Sequence, residues 1–447
     1  MIGLWAFVAY ICVIILWNVV IKRGIGEAMV IGFVVVAVFG GAQAPGLMWA
    51  GIRAAATEEV VFAASAFVFM GFLLGRTGLV DRLVDMLNSL LGRLRGGPAY
   101  VSTVASALFG TISGSGSGNA AAVGSITIPW MMRANIDPRL AATVVAGNAG
   151  LGIAFPPSSS LFILTGLGAV SSLVSAEALF LSLFAGGAWL LLYRLVLMWA
   201  LVRRYGIGPV DPGLTQPLRR TFAAGWPSLL IFLGIAVPVV LTTGAVAAWL
   251  DAWAGAGTME AVSIITWIPV LVILVTLVVG RRSLPRGPRG WWDLLGEAGP
   301  KYGVIGVVLF FAFAASTVLG ELGMGEELTS LLSAIDAPAF VLALIVGVIV
   351  LAAAAPLTST ATMVAVGSVA FTALVGAGVS PTVAAVAVLM FASTEGASPP
   401  GAAPIYIASG IAGVDPTRTF LPLLLWYVLP TLLITTLVAV GFLPIPG

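Results

Sequence analysis

Apolar residues fill this chain in stretches of about twenty, the length an α-helix needs to cross the hydrocarbon of a bilayer. Runs at 2–21, 27–47 and 60–75 predict three early crossings, and 225–245 and 259–280 predict two later ones. Two stretches break the pattern. "FGTISGSGSGNAAAVGSITIP" (109–129) crowds Gly, Ser and an Asn into 110–119, and "AAAAPLTSTATM" (352–363) places Pro and hydroxyl residues in an otherwise apolar run. A broken helix in hydrocarbon leaves backbone groups without partners, at several kcal/mol each, so it is tolerated only where it lines a polar cavity. Each stretch is therefore expected to be the tip of a re-entrant hairpin, turning at 113–118 in one case and near 352–363 in the other. Two further segments, "VAGNAGLGIAFPPSSS" (145–160) and "FASTEGASPPGAAP" (391–404), predict crossings interrupted in mid-span.

These interruptions recur at a fixed distance. Residues 122–157 align without a gap onto 365–400, with 13 of 36 positions identical at a constant offset of 243, including Pro138/Pro381 and both Pro-Pro pairs. This is an internal duplication. The segment before the first copy (76–95) holds Arg76, Arg82, Arg93 and Arg95. Its counterpart (320–337) holds Glu321, Glu326, Glu327 and Asp336 and nothing basic. By the positive-inside rule one loop is cytoplasmic and the other external.

The expected fold is an all-α polytopic membrane protein of two inverted-topology repeats, each about five spans plus one re-entrant helical hairpin. Lys22 and Arg23 after the first run, and Arg203, Arg204, Arg219 and Arg220 between the repeats, place both termini outside. "RRSLPRGPRGWWDLLGEAGPK" (281–301), with Trp291 and Trp292, suits a helix lying along the interface. The expected divisions are scaffold spans and arm at 1–75, a transport unit at 76–170, and a closing span with linker at 171–224. The second repeat follows with scaffold and arm at 225–319, a transport unit at 320–416 and a last span at 417–447.

Composition narrows the function. Of 447 residues 60% are hydrophobic and only 9% charged, with a mean hydropathy of +1.12, against about 25% charged in soluble domains. A net charge of +2 offers nothing to nucleic acid. The single Cys12 excludes an internal disulfide, and the absence of histidine removes the commonest metal ligand and proton relay. With no nucleotide-binding loop and no base beside a serine, neither an enzyme nor an ATP-driven pump fits. An ion gradient is the remaining source of drive. No metal is expected beyond a transported cation.

Freed carbonyls, hydroxyls and helix C-termini suit a small hard cation, and facing helix N-termini suit a carboxylate. In the first repeat the candidate cation ligands are Ser113, Ser115, Ser117 and Asn119 with Gly147, Asn148 and Gly150. In the second they are Thr358, Ser359 and Thr360 with Ser393, Thr394 and Glu395. Substrate contacts are expected from Ser117, Asn119, Pro156, Pro157, Ser158, Thr360, Ser398, Pro399 and Pro400. The competing reading is that these small residues only allow close helix packing. Their clustering at repeat-related breaks favours a site. For Glu395, an intramembrane carboxylate, two roles stay open beside a merely structural one: binding the coupling cation, or carrying a proton during transport. Glu58, Glu59 and Glu260 lie near expected span ends and read as interfacial, and Asp81, Arg82 and Asp85 as a solvated helix face.

At these residues the chain resembles the large membrane subunit of tripartite ATP-independent periplasmic (TRAP) transporters, the DctM-like family. The resemblance is carried by 72–129, by "GLGIAFPPSS" (150–159) and by "SPPGAAPIYIASGIAGVDP" (398–416), with a fainter trace of a Thr-Glu-Ala signature in "GTMEA" (257–261). It implies a Na+-coupled importer of organic acids in the bacterial inner membrane. It also implies an elevator-type transport domain, a small four-span membrane subunit and a periplasmic solute-binding protein as partners. By position, 113–119 and 147–157 match the family's cation-site elements. The second repeat departs: "AAAAPLTSTATM" replaces a Gly-x-x-x-Asp hairpin, and Glu395 stands where the family break is neutral. Na+ is the implied coupling ion, with H+ open. A stand-alone anion transporter of the same architecture is the alternative reading, and a passive channel a third.

Overall fold

The computed structural model describes residues 2–57, 59–113, 115–210, 216–242, 244–255, 264–324, 327, 330, 337–355 and 357–447. Glu58, Glu260, the 257–261 trace, Glu326, Asp336 and Pro356 lie outside them, as do the side chains of Glu59 and Ser113.

The described residues form helices joined by short turns. In the first half these are α1 (Ile2–Ile15), α2 (Ile25–Val38), α3 (Ala44–Thr57), α4 (Glu59–Thr77), α5 (Leu79–Leu91) and the pair α6 (Gly97–Ser113) and α7 (Gly116–Arg133). Then come α8 (Pro138–Ala149), α9 (Leu151–Ala154), α10 (Ser159–Gly166), α11 (Gly168–Ser171) and α12 (Ala176–Arg204). The second half holds α13 (Leu218–Leu229), α14 (Ile231–Thr242), α15 (Gly244–Ala254), α16 (Ile264–Val279), α17 (Pro288–Glu321) and α18 (Ala339–Ala354). It ends with α19 (Ser359–Gly376), α20 (Pro381–Ala392), a 3-10 turn (Ser393–Ala397), α21 (Ala403–Ala412) and α22 (Thr417–Ala439).

Helix boundaries repeat with the sequence offset. Adding 243 to the limits of α7 and α8 gives the limits of α19 and α20 at both ends. The starts are fixed by local chemistry. Asp137 caps α8 by accepting from the Arg139 and Leu140 amides at 2.9 and 3.2 Å, with Pro138 at the first position. Ser115 caps α7 through the Gly118 amide, and Thr358 caps α19 through the Ala361 amide.

Packing is built around α8 and α20. Every side chain from Leu140 to Ala149 and from Ala384 to Ala392 is buried, the mark of helices enclosed on all sides. Around them pack α6, α7, α12, α18, α21 and α22. A second group surrounds α17, which lies along α2 and α3, while α16 packs on α4 and α14. α5 is amphipathic as expected, burying Leu79, Val80, Leu83 and Val84 and exposing Asp81, Arg82 and Asp85.

Four details differ from the sequence reading. The 27–47 run is not one helix: α2 stops at Val38, Gly41 takes a φ of +56°, and α3 starts anew at Ala44. The 281–301 segment is not a separate interfacial helix, since Pro288 opens one continuous helix of 34 residues that runs on through the following span. Pro227 and Pro238 lie inside the expected 225–245 span, which begins earlier and bends by 47° between α13 and α14. The first hairpin's tip does not extend across 113–118: Ser115 caps α7, so the Gly/Ser cluster from Gly116 onward is already the first turn of that helix.

Candidate functional site

The two interrupted helices meet end to end. α8 stops at Gly150, and a Cβ on Gly150 would collide with the carbonyl oxygen of Ser393, in the turn that ends α20. In return, a Cβ on Gly396 would come within 2.8 Å of the Gly150 amide. Glycine is required at 150 by this approach, not by its backbone, which is helical. The breaks of the two repeats thus form one body of unwound backbone.

Each hairpin is tied to it. Asn119, on the first turn of α7 and 1% exposed, donates from Nδ2 to the Ser106 carbonyl of α6 at 2.9 Å and to the Ala149 carbonyl of the break at 3.2 Å. Asn148 donates from Nδ2 to Thr103 Oγ1 at 2.9 Å. The amide oxygens of both asparagines, Oδ1 in each, are buried without a hydrogen-bond partner. Two orphaned neutral acceptors beside a helix C-terminus fit a small cation.

From the other repeat, Glu395 enters the same region. Its side chain is 4% exposed, and its carboxyl lies against the amide and hydroxyl of Ser359 at the start of α19. Its Oε2, without a hydrogen-bond partner, sits 3.3 Å from the position a Cβ on Gly116 would take. Gly116 and Ser359 are separated by the repeat offset and open equivalent helices. One carboxyl therefore stands between two equivalent helix N-termini, whose dipoles favour negative charge.

The other expected residues fall around this centre unevenly. Ser117 and Thr360 are half-buried on the first turns of α7 and α19. The hydroxyls of Ser393, Thr394 and Ser398 donate back to the Met390, Phe391 and Thr394 carbonyls at 2.6, 2.7 and 2.8 Å, leaving their oxygens as acceptors. Thr358 is exposed in its capping position. Gly147 faces the Tyr427 ring instead of a hairpin tip, so its small size serves packing. Pro156, Pro157 and Ser158 are buried, with Ser158 capping α10, whereas Pro399 is half-buried and Pro400 exposed.

One residue was missed. Arg194, in the middle of α12, is 1% exposed and donates from Nη1 to the Asn148 carbonyl at 3.2 Å, with its guanidinium 5.8 Å from the centre of the Tyr427 ring. Among the described residues, Arg194 and Glu395 are the only charged side chains that are buried. A cation at the end of α8 complements the dipole there. The signal was available: a lone charge nine residues inside the Arg203 end of an apolar helix sits about 14 Å deep.

Between α17 and the helices α10, α11 and α19 lies a cavity of about 660 Å³ lined by Ser316, Thr317, Ser368 and Thr372 among others.

The whole chain can be placed by comparison. Residues 8–445 match the model of the "Tripartite ATP-independent periplasmic transporter, DctM component". This chain belongs to the DctM family. It is a multi-pass membrane protein of a transporter permease family, not an enzyme family. It is 26% identical over 394 residues to the isethionate TRAP transporter permease protein DctMQ of Oleidesulfovibrio alaskensis, covering 85% of this chain but 56% of that one. Against the C4-dicarboxylate TRAP transporter large permease protein DctM of Rhodobacter capsulatus it is 24% identical over 86% of this chain and 85% of the relative. In fold it is similar to MtrF of Neisseria gonorrhoeae, with a TM-score of 0.67 at 15% identity over 92% of this chain and 87% of that one. The YdaH transporter of Alcanivorax borkumensis follows with a TM-score of 0.62 at 16% identity, over 88% and 87%.

Proposed function

We propose that this chain is the large permease subunit of a Na+-coupled TRAP transporter that imports organic acids across a bacterial inner membrane. In this reading a small four-span subunit and a periplasmic solute-binding protein assemble with it. The observation that carries the proposal is the convergence of orphaned Asn119 and Asn148 oxygens, a broken-helix C-terminus and two equivalent helix N-termini at one buried place. Relatives named for C4-dicarboxylate and isethionate support an anionic substrate.

The repeats are inverted, both termini face the periplasm, and the α8/α20 group moves as the transport unit against the α17 group. A cavity of about 660 Å³ borders α17 and α19 on the path such a movement would take. Na+ binds at the Asn119 and Asn148 oxygens and draws the first hairpin against the break. Bound Na+ offsets the Glu395 charge, and a substrate carboxylate then meets Ser117 and Thr360 on the first turns of α7 and α19. Glu395 supplies fixed negative charge to the second-repeat cation position, where this chain departs from the family's hairpin acid. Cation and anion are each favoured by the other's presence, which is the requirement for symport.

The test is uptake of succinate, as a C4-dicarboxylate probe, into proteoliposomes with and without the solute-binding protein and a Na+ gradient. Uptake that needs both supports the proposal. Uptake indifferent to Na+ overturns the coupling, and uptake without the binding protein favours the stand-alone transporter.

A further inference from the structure

α12 carries an exposed apolar stripe: Leu181, Phe184, Leu192, Val196 and Trp199 follow one another at three, eight, four and three residues, all on one helix face. Their exposures run from 44% to 54%, while Leu183, Leu190, Arg194 and Met198 on the opposite face are buried. The next residue on that stripe is Arg203. Its guanidinium lies 4.2 Å above the centre of the Trp199 ring.

There the stripe opens into a pocket of about 540 Å³ lined by Arg95, Tyr100, Trp199, Arg203 and the loop at Gly206–Pro209, with no acidic side chain among the described residues of its lining. The pocket is built from two separate parts of the chain. Gly96, with a φ of +67°, lets the turn between α5 and α6 sit against Val202, where a Cβ would collide. The Gly96 amide donates to the Gly208 carbonyl at 3.4 Å, which fixes Arg95 opposite Arg203.

We propose that this pocket binds the headgroup phosphate of an anionic phospholipid whose acyl chain lies along the α12 stripe. Two arginines on converging walls form a pair of donors for a phosphate, and Tyr100 and Trp199 provide the amphipathic rings found at headgroup depth. A free phosphate would use the same arginines but gain nothing from the apolar stripe. Continuity of stripe and pocket is what selects the lipid.

The test uses the purified full-length chain, equilibrated with equimolar phosphatidylglycerol and phosphatidylcholine in detergent, with retained lipid counted by native mass spectrometry. Phosphatidylglycerol is expected to be enriched on the order of tenfold, and the paired substitution Arg95→Gln with Arg203→Gln should remove the preference. Arg133→Gln, a change at another exposed arginine, should leave it intact. Sodium phosphate at the same concentration should not displace the lipid. Equal retention of both lipids, loss of preference in Arg133→Gln, or displacement by inorganic phosphate would each overturn the proposal. A circular dichroism spectrum of the double variant matching the unsubstituted chain ties any loss to the pocket and not to unfolding.

Discussion

Replacing Gly150 with Ala adds one methyl group where the two broken helices touch. The backbone there has φ −65° and ψ −14°, which alanine adopts freely, so propensity alone would stabilise the variant by up to about 1 kcal/mol. The contact works the other way. The new Cβ meets the Ser393 carbonyl oxygen, which is main chain and cannot rotate aside. The α8 and α20 ends must part by roughly 1 Å, and such overpacking costs about 1–3 kcal/mol. Sterics therefore win.

The larger effect is on cation binding. Asn119 holds the Ala149 carbonyl at 3.2 Å, so displacement of the break pulls it away from the hairpin amide and separates the orphaned oxygens. The assay is thermal unfolding of purified protein in NaCl and in choline chloride. A ligand at a hundredfold excess over its Kd stabilises by about 2.7 kcal/mol, so the native chain should show a clear Na+ shift and Gly150→Ala should lose it. Gly168→Ala, with nothing within 4 Å of its Cβ, is the matched control and should behave as the native chain. An unchanged melting temperature together with an unchanged Na+ shift in Gly150→Ala would refute the reasoning.

Three further outcomes are expected. Glu395→Gln keeps the shape of a buried side chain but removes its charge, so the Na+ concentration for half-maximal stabilisation should rise at least about tenfold; unchanged cation and pH dependence of uptake would reject a coupling role. Arg194→Met should alter stability by no more than about 2 kcal/mol, because relief from burying a charge offsets the lost hydrogen bond to Asn148. Freeing that carbonyl should tighten Na+ binding, and a weaker Na+ response in a folded variant contradicts this. Asp415, exposed at the start of α22, is held below the usual carboxylate range by the Thr417 hydroxyl and amide. Its stabilisation is present above about pH 4 and lost as pH falls through the depressed value; Asp415→Asn should flatten that acid-side loss in a thermal-unfolding series from pH 7 to pH 3.

Much of this arrangement was legible along the chain. The duplicated Pro-Pro pairs announced two equivalent breaks, since two consecutive prolines remove two backbone donors from an apolar run. The helix limits near 113–116 were legible because Gly and Ser are weak helix formers and Ser favours caps. What local pattern could not give was which broken pieces touch. The expected pairing within each repeat is present, Asn119 with the Ala149 carbonyl and Glu395 with Ser359, but Glu395 also reaches Gly116 of the opposite repeat, a contact set by packing of α8 against the α20 turn. The extent of the first tip was also misjudged. Gly116, Ser117 and Gly118 are poor helix formers, but Ser115 caps them and the surrounding helices bury them, so tertiary context overrides propensity. Arg194 was overlooked because a single charge barely lowers the hydropathy of a 29-residue helix.

The mechanism depends on the two units entering the membrane from opposite sides. Arg133 at the end of α7 and Ser380 just before α20 are both exposed and close to equivalent positions. Each is replaced by Cys in a Cys12→Ser background and exposed to a membrane-impermeant thiol reagent, first in spheroplasts and then after permeabilisation. The account predicts that Ser380→Cys is labelled in intact spheroplasts and Arg133→Cys only after permeabilisation. Labelling of both from the same side would contradict it.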